Sequence, residues 1–390
     1  MKQYDVAVVG GGPAGASAAY RLARAGLKVA LIEKESLPRR KVCAGGVVFR
    51  ARSMFDVDIT PVVESECFTA SLCLLKSGSY FEAVRDVPVI SMVMRARLDQ
   101  FLCEQAVQAG ADMYDSFCVV SADFEHDFVT VRSEAGAIRA GHVIAADGAS
   151  STMARLAGWQ ESARLAPAIE CELTVSDTIM DRFANRAHFD FDIPANGYGW
   201  VFPKRDHLNI GLGGFGRKKK LNLKALLHEY TDLLGIRLPA DVDIYGYVIP
   251  VVPRAGGFVR NRVFLVGDAA GFADPVSAEG ISFSLQSGQL AADALIESGL
   301  DAVASQNLYQ DRLEHSILPE LAAGRKLATL FYSSRYLREW LMKHYGPRLT
   351  EAVADVYTGK RTYSSAADTF LQRMRQMGMP GPEGRAGEPG

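Results

Sequence analysis

The chain has 390 residues, 48% of them hydrophobic, with 43 Lys and Arg against 45 Asp and Glu for a formal charge of -2. That length and apolar content suit two or three packed domains of roughly 100–200 residues each and exclude a disordered chain. The near-neutral balance leaves no global basic field to hold nucleic acid or an anionic membrane, so any charged contact is local.

Taken in chain order, YDVAVV (4–9) reads as a short, β-branched, buried strand that ends in glycines. PAGASAAYRLARAG (13–26) carries Ala14, Ala18 and Leu22 at helical spacing, and LKVALIE (27–33) is the next strand. This β-α-β start predicts a parallel sheet. A second unit is expected from a helical run at 95–110, shorter strands, and HVIAADG at 142–148. From about residue 163 to 257 the texture changes to alternating strands, HFDFDI, GYGWVFP and HLNIGLGG, with one helical run at 221–235. NRVFLVGDAAG (261–271) then returns to a buried strand ending in Gly-Asp, and 280–299 is helical again. The first domain is therefore expected to be discontinuous, taking 1–70, 94–162 and 257–315. A second domain takes 71–93 and 163–256, followed by a helical region at 316–376 and a disordered Pro- and Gly-rich tail at 377–390.

The six cysteines, Cys43, Cys67, Cys73, Cys103, Cys118 and Cys171, include no C-x-x-C pair. That spacing argues against zinc, a redox dithiol and an iron–sulfur cluster, so no metal is expected, and reduced thiols fit a cytoplasmic protein. No basic leader runs into an apolar stretch, and no 18-residue uncharged span occurs. The expectation is a soluble protein, with contact at a membrane surface left open.

Gly10, Gly12 and Gly15 form G-x-G-x-x-G between the first strand and helix, and Glu33 ends the next strand about 20 residues on. Gly10 makes the tight turn, Gly12 lets backbone approach a pyrophosphate, and Gly15 permits close helix–strand packing. The helix N-terminus offers free N–H groups to anionic oxygen, and Glu33 can accept from an unphosphorylated ribose. A second match, GLGGFG (211–216), leads into RKKK with no small-residue helix and no strand-ending acid, and reads as a turn in a β region. One dinucleotide site thus holds the resident cofactor, and FAD suits it better than NAD. ADGASSTMAR supplies Asp147, Gly148, Ser151 and Arg155, an acid placed for ribityl hydroxyls. VGDAAGFADPVSAEGI puts Asp268 past a strand and Gly280 at a helix start, whose N–H groups suit a flavin's pyrimidine edge.

GGGPAG near the N-terminus, ADGASS in the middle and GDAAG…P…EGI late in the chain resemble the glutathione-reductase-type FAD fold, in the branch that contains p-hydroxybenzoate hydroxylase. Within it, PRRKVCAGG (38–46) resembles the P-x-x-K-x-C-G-G segment of the geranylgeranyl reductase family, and YGWVFPK (198–204) resembles its Y-x-W-x-F-P motif. The resemblance spans residues 1 to about 320. It implies an α/β chain (α+β overall) with a discontinuous Rossmann-like FAD domain, an antiparallel substrate sheet and a C-terminal helical segment. Carried over by motif position, FAD contacts fall on Ala14, Gly15, Glu33, Cys43, Ala44, Gly46, Arg95, Val119, Asp268, Gly280 and Ile281. One departure is Ala44, where the family usually has Gly, which reduces the loop's backbone freedom. The family reduces prenyl double bonds in archaeal lipids, chlorophyll precursors or quinones. The implied activity is thus that of an FAD-dependent oxidoreductase acting on C=C bonds of a prenyl lipid or other isoprenoid, recharged by NAD(P)H, reduced ferredoxin or another flavoprotein.

The rings of Tyr198, Trp200 and Phe202 alternate along a strand and share one face. A polyisoprenoid offers no hydrogen bonds, so a site holds it by apolar area at about 25 cal/mol per Å², which such a face supplies. The same alternation also suits ordinary packing of a sheet under helices. An isolated alkene is a poor hydride acceptor, so proton delivery carries much of the activation; Cys43 is the candidate donor, or the residue that shapes the site. Competing readings are an FAD-dependent aromatic monooxygenase or halogenase and a flavoprotein electron carrier to quinone. RKKK (217–220) reads as a solvated turn, and 327–346 as an amphipathic helix that packs on the protein or rests at a bilayer interface.

Overall fold

A computed structural model describes residues 2–161, 164–215 and 222–365. The apolar N-terminal run becomes β1 (Lys2–Val9), which leads through the glycines into α1 (Pro13–Arg24) and back to β2 (Val29–Ile32). β1 pairs in parallel with β2 on one side and with the distant β11 (Gly136–Ala145) on the other, and β11 pairs in parallel with β18 (Val263–Leu265). With β8 (Asp112–Tyr114) and β17 (Val259–Arg260) at its edges, this sheet has the order β17-β18-β11-β1-β2-β8, and an antiparallel ribbon of β9 (Ser121–Phe124) and β10 (Val129–Ser133) extends from β11. Three separate stretches of chain therefore share one sheet.

Helix α1 packs between α3 (Arg95–Gln108) and α8 (Ile281–Glu297). Glycine makes these approaches possible. A Cβ on Gly15 would lie 1.9 Å from the carbonyl oxygen of Gly10, and one on Gly288 would lie 2.2 Å from that of Ala14.

The second sheet runs β16 (Tyr245–Pro250), β12 (Leu165–Leu173), β15 (Leu208–Gly214), β14 (Gly197–Pro203), β13 (Arg186–Asp190), β5 (Thr69–Leu74) and β6 (Ser79–Val84). Its neighbours are antiparallel except β13 and β5, which run parallel because the chain leaves this sheet after β6 and returns only at β12. Gly211, Gly213 and Gly214 lie inside β15, which corrects the expected turn. They are needed for clearance: a Cβ on Gly211 would sit 2.2 Å from the Trp200 ring, and one on Gly197 would sit 1.9 Å from the Gly213 carbonyl. One face of β14 presents Val201 to a core with Leu227 and Tyr230 of α6 (Leu223–Leu233) and Phe183 of α5 (Asp177–Phe183). The other face carries Tyr198, Trp200 and Phe202.

A small third sheet, β3 (Gly46–Val48), β7 (Ile90–Val93) and β4 (Val63–Cys67), joins the two large ones. The short helices α2 (Phe49–Arg52), α4 (Thr152–Leu156) and α7 (Gly267–Ala270) begin just after β3, Asp147 and β18. The C-terminal helices are α9 (Ala302–His315), α10 (Ile317–Ser333) and α11 (Arg335–Tyr357). Residues 327–346 are not one helix, since Ser334 is extended and its hydroxyl caps α11 by accepting from Leu337 N–H. Packing decides the break: Tyr332 stacks on Phe215 at 4.6 Å and donates to Val276 O, and buried Arg338 donates to Ala195 O at 2.7 Å. Tyr336 and Trp340 stay exposed. RKKK and the tail at 377–390 lie outside the described residues, as do residues 366–376.

Because the contact at Gly288 is backbone against backbone, Gly288→Ala is expected to destabilise the protein by about 1–3 kcal/mol. Thermal unfolding checks this, and an unchanged melting temperature would contradict the α1–α8 approach.

Candidate active site

One cavity of about 510 Å³ is lined both by the glycine loop after β1 and by the aromatic face of β14. Gly10, Gly12, Ala14 and Glu33 line it, as do Cys43, Ala44, Gly46, Arg95 and Val119. Asp268, Gly280 and Ile281 join them, together with Tyr198, Trp200 and Phe202. Gly15, in the first turn of α1, makes the close helix–strand approach, where a Cβ would meet Gly10 O.

The nucleotide end fits a dinucleotide. Gly10 has φ +113°, and a Cβ there would strike Ala146 O at 2.2 Å. Gly12 faces open space, with only Arg95 Nη2 at 3.8 Å near a built Cβ, so a larger side chain would fill the place a pyrophosphate needs. Helix α1 has no side-chain cap, which leaves the N–H groups of its first turn for an anion. Glu33 accepts from Gly11 N–H at 3.0 Å and is 3.2 Å from Arg39 Nε, while its oxygens keep lone pairs for a ribose hydroxyl.

Arg39 also reaches Asp99 at 2.9 Å, and Asp99 grips Arg95 through Nε at 2.8 Å and Nη2 at 2.9 Å. Burial works to lower the pKa of Arg95, but Asp99 and the facing Cys43 outweigh it and raise it. This alternating row of charges fixes Arg95 beside the Cys43 loop.

The two later acids differ. Asp147 lines the cavity and is fixed at the start of α4, accepting from Ser151 Oγ at 2.5 Å and from Met153 N–H at 2.9 Å. Asp268 is pushed up by burial, and no hydrogen bond from the described residues reaches its carboxyl. It stands beside Gly280 and the N-terminus of α8 as the acid left for polar cofactor atoms.

The Cys43–Gly46 loop is held from the second sheet. Lys204, the residue after the Phe-Pro pair, is 2% exposed and donates to Ala44 O at 2.6 Å and Val93 O at 3.0 Å. Burial pushes the pKa of its ammonium down, with nearby carboxylates opposing. Glu170 Oε1 accepts from Cys43 N–H at 2.8 Å, and the Cys43 thiol accepts from Gly45 N–H at 3.4 Å. Gly45 is the left-handed residue, with φ +67° and a built Cβ only 2.0 Å from Val93 O. Ala44 does not have a positive φ, so the feared loss of freedom at that position costs nothing. Gly46 lies under Phe202, whose Cε2 would be 3.1 Å from a Cβ there.

The aromatic strand faces the cavity and the core at once. Tyr198, Trp200 and Phe202 line the cavity and also pack as core, Phe202 against Phe189 at 5.4 Å and Tyr198 against Phe215 at 6.1 Å. Their polar atoms are already satisfied: Tyr198 donates to Ser277 O, and Trp200 Nε1 donates to Asn209 Oδ1 at 2.7 Å. Behind the sheet, Cys73, His188 and Asp190 cluster, closed by the His188–Asp190 contact at 2.8 Å and by the Tyr230 hydroxyl. Sequence reasoning missed Arg39, Asp99, Glu170 and Lys204. Only Lys204 and Glu170 left a signal, the first beside the Y-x-W-x-F-P motif and the second at period two with Glu172 in a predicted strand region.

The FAD binding domain family matches residues 3–191. A chloroplastic geranylgeranyl diphosphate reductase of Nicotiana tabacum is 30% identical over 92% of this chain and 80% of its own. Digeranylgeranylglycerophospholipid reductase 1 of Methanopyrus kandleri is 30% identical over 84% of this chain and 90% of its own. A crystal structure of a geranylgeranyl bacteriochlorophyll reductase-like protein from Thermoplasma acidophilum has a TM-score of 0.79 at 22% identity, over 96% of both chains, which shows the shared fold. Fold and site thus define an FAD-dependent oxidoreductase of the glutathione-reductase structural type. Within that class, the chain belongs to the geranylgeranyl reductase family.

Left-handed backbone at Gly45 predicts that Gly45→Ala loses about 1–3 kcal/mol and weakens FAD retention, whereas Ala44→Gly shifts stability by less than about 1 kcal/mol. Thermal unfolding with and without FAD checks both, and equal effects at the two positions would place the strained residue elsewhere.

Proposed function

We propose that this protein reduces carbon–carbon double bonds of a prenyl chain lying along the Tyr198, Trp200 and Phe202 face. The observation that carries this reading is chemical: the hydroxyl of Tyr198 and the indole N–H of Trp200 are both bonded to protein, so the face offers rings without free donors. Such a ring surface suits a hydrocarbon chain, which sets the reductase above an aromatic hydroxylase or halogenase. Apolar contact at about 25 cal/mol per Å² then supplies the binding energy.

When bound, reduced FAD supplies a hydride to one alkene carbon. The residues assigned to hold it are Gly10, Gly12, Ala14, Gly15 and Glu33 at the nucleotide end, then Cys43, Ala44, Gly46 and Arg95. Val119, Asp268, Gly280 and Ile281 complete the set. Lys204 and Glu170 hold the Cys43 loop against β14 and so fix the shape of the reacting end. Cys43 shapes that end through its contacts with Gly45 and Arg95.

The reductant, NAD(P)H, reduced ferredoxin or another flavoprotein, visits this site rather than residing in one of its own, a reading supported by Gly211, Gly213 and Gly214 of the second glycine run lying inside β15. No described helix is long and apolar enough to cross a membrane. Exposed Tyr336 and Trp340 on α11, near Arg335 and Lys343, would make peripheral contact with the bilayer that supplies a prenyl lipid.

Anaerobic incubation of the dithionite-reduced holoprotein with geranylgeranyl lipids is expected to yield products heavier by two hydrogens, read by mass spectrometry. Unchanged lipids, with a phenol hydroxylated in air instead, would reverse the assignment. Cys43→Ala is expected to keep FAD and slow alkene reduction by about 10- to 100-fold; a wild-type rate would remove Cys43 from the site.

A further inference from the structure

Strand β12 carries Glu170 and Glu172 two residues apart, so both side chains leave the same face of the sheet. Register identifies that face. Glu170 lies opposite Gly211 and Glu172 opposite Asn209 on β15, and those residues lie opposite Trp200 and Phe202 on β14. Two carboxyl groups therefore share the face that presents the aromatic rings to the cavity. Carboxyls beside a hydrocarbon surface cost free energy, and lipid binding alone gives no reason for them.

Their surroundings separate them. Glu172 Oε2 is 3.0 Å from His207 Nε2, and Oε1 accepts from Asn209 Nδ2 at 2.9 Å. Burial pushes Glu172 up, but His207, Lys204 and Asn209 prevail and hold it below the usual carboxylate range. Glu170 is 7% exposed, lines the cavity and accepts only one backbone N–H, that of Cys43. Burial pushes its carboxyl up and the Glu172 anion adds to this, against the Cys43 N–H, the Asn209 amide and Lys204. Tyr245 lies opposite it on β16, with Arg40 stacked 3.7 Å above that ring. One carboxyl held ionised and its neighbour driven toward the protonated form is the pattern of an assigned acid.

We propose that Glu170 is the acid that gives a proton to the alkene carbon that does not receive the hydride. The inference rests on the prenyl-reductase reading above. Hydride from reduced FAD brings an electron pair and forms one C–H bond. The Glu170 O–H bond breaks, and its proton forms the second C–H bond with the pair released from the alkene π bond. The alkene gains two hydrogens, FAD is left oxidised, and the Glu170 carboxylate regains a proton from solvent before the next turnover. The Cys43 thiol, which accepts from Gly45 N–H and faces Arg95, shapes the site and is not the proton source.

The test uses the FAD-loaded protein and two variants. Glu170→Gln keeps an oxygen for the Cys43 N–H but carries no transferable proton. It is expected to retain FAD with an unchanged absorption spectrum and to slow alkene reduction by about 100-fold. In the wild type the rate should fall as pH rises through the raised pKa of Glu170, and this alkaline fall should vanish in the variant. Glu172→Gln removes the neighbouring anion, which lowers the proton affinity of Glu170, so the fall should move to lower pH. Infrared titration of the FAD-free protein gives an independent readout: a carboxyl band that titrates above the usual carboxylate range in the wild type and is lost in Glu170→Gln. A Glu170→Gln protein with the wild-type rate and pH profile would overturn the proposal, as would an alkaline fall that persists there and vanishes in Cys43→Ala. Failure of the prenyl reading would look different, since the wild type itself would then leave the lipid unchanged while the infrared band remained.

Discussion

A buried ammonium bonded to two backbone carbonyls ties the cofactor half of this molecule to its aromatic sheet. Lys204 reaches from the end of β14 to Ala44 O and Val93 O, with no carboxylate within ion-pair distance among the described residues. Burying such a charge is costly, and the loop carbonyls together with the more distant field of Glu170 and Glu172 offset that cost. The meeting of the cofactor loop with the aromatic face depends on this junction. It sets the Cys43 loop over β14, brings Gly46 under Phe202, and makes one cavity out of what would otherwise be a nucleotide cleft and a separate apolar groove.

Glycine and aromatic residues are complementary along this junction. The Trp200 ring lies across Gly211, Phe202 lies over Gly46, and the Tyr230 ring meets Gly199 on the opposite face. Rings lie close against backbone only where Cβ is missing, so the glycine-rich β15 is the counterpart of the aromatic β14. Gly211 and Gly213 of the second G-x-G-x-x-G match belong to this packing.

Contiguity decided what could be read from the chain alone. The β1–α1–β2 unit was legible because strand, glycines, helix and Glu33 follow one another within 33 residues. The aromatic stripe was legible for the same reason, since period two survives in seven residues of strand. Arg39, Asp99, Glu170 and Lys204 were not, because each acts through a partner far along the chain: 60 positions for Arg39 to Asp99, 127 for Glu170 to Cys43 and 160 for Lys204 to Ala44. The break at Ser334 came from tertiary packing of Tyr332 and Arg338, which helical periodicity does not encode.

The central claim is that cofactor and hydrocarbon meet in a single cavity at the Gly46–Phe202 contact. A crystal structure of the FAD-loaded protein with a prenyl compound bound tests it most directly. The flavin ring system is expected against Cys43–Gly46 and the prenyl chain along Tyr198, Trp200 and Phe202. A prenyl chain seated elsewhere, or a flavin ring that does not touch this loop, would contradict it.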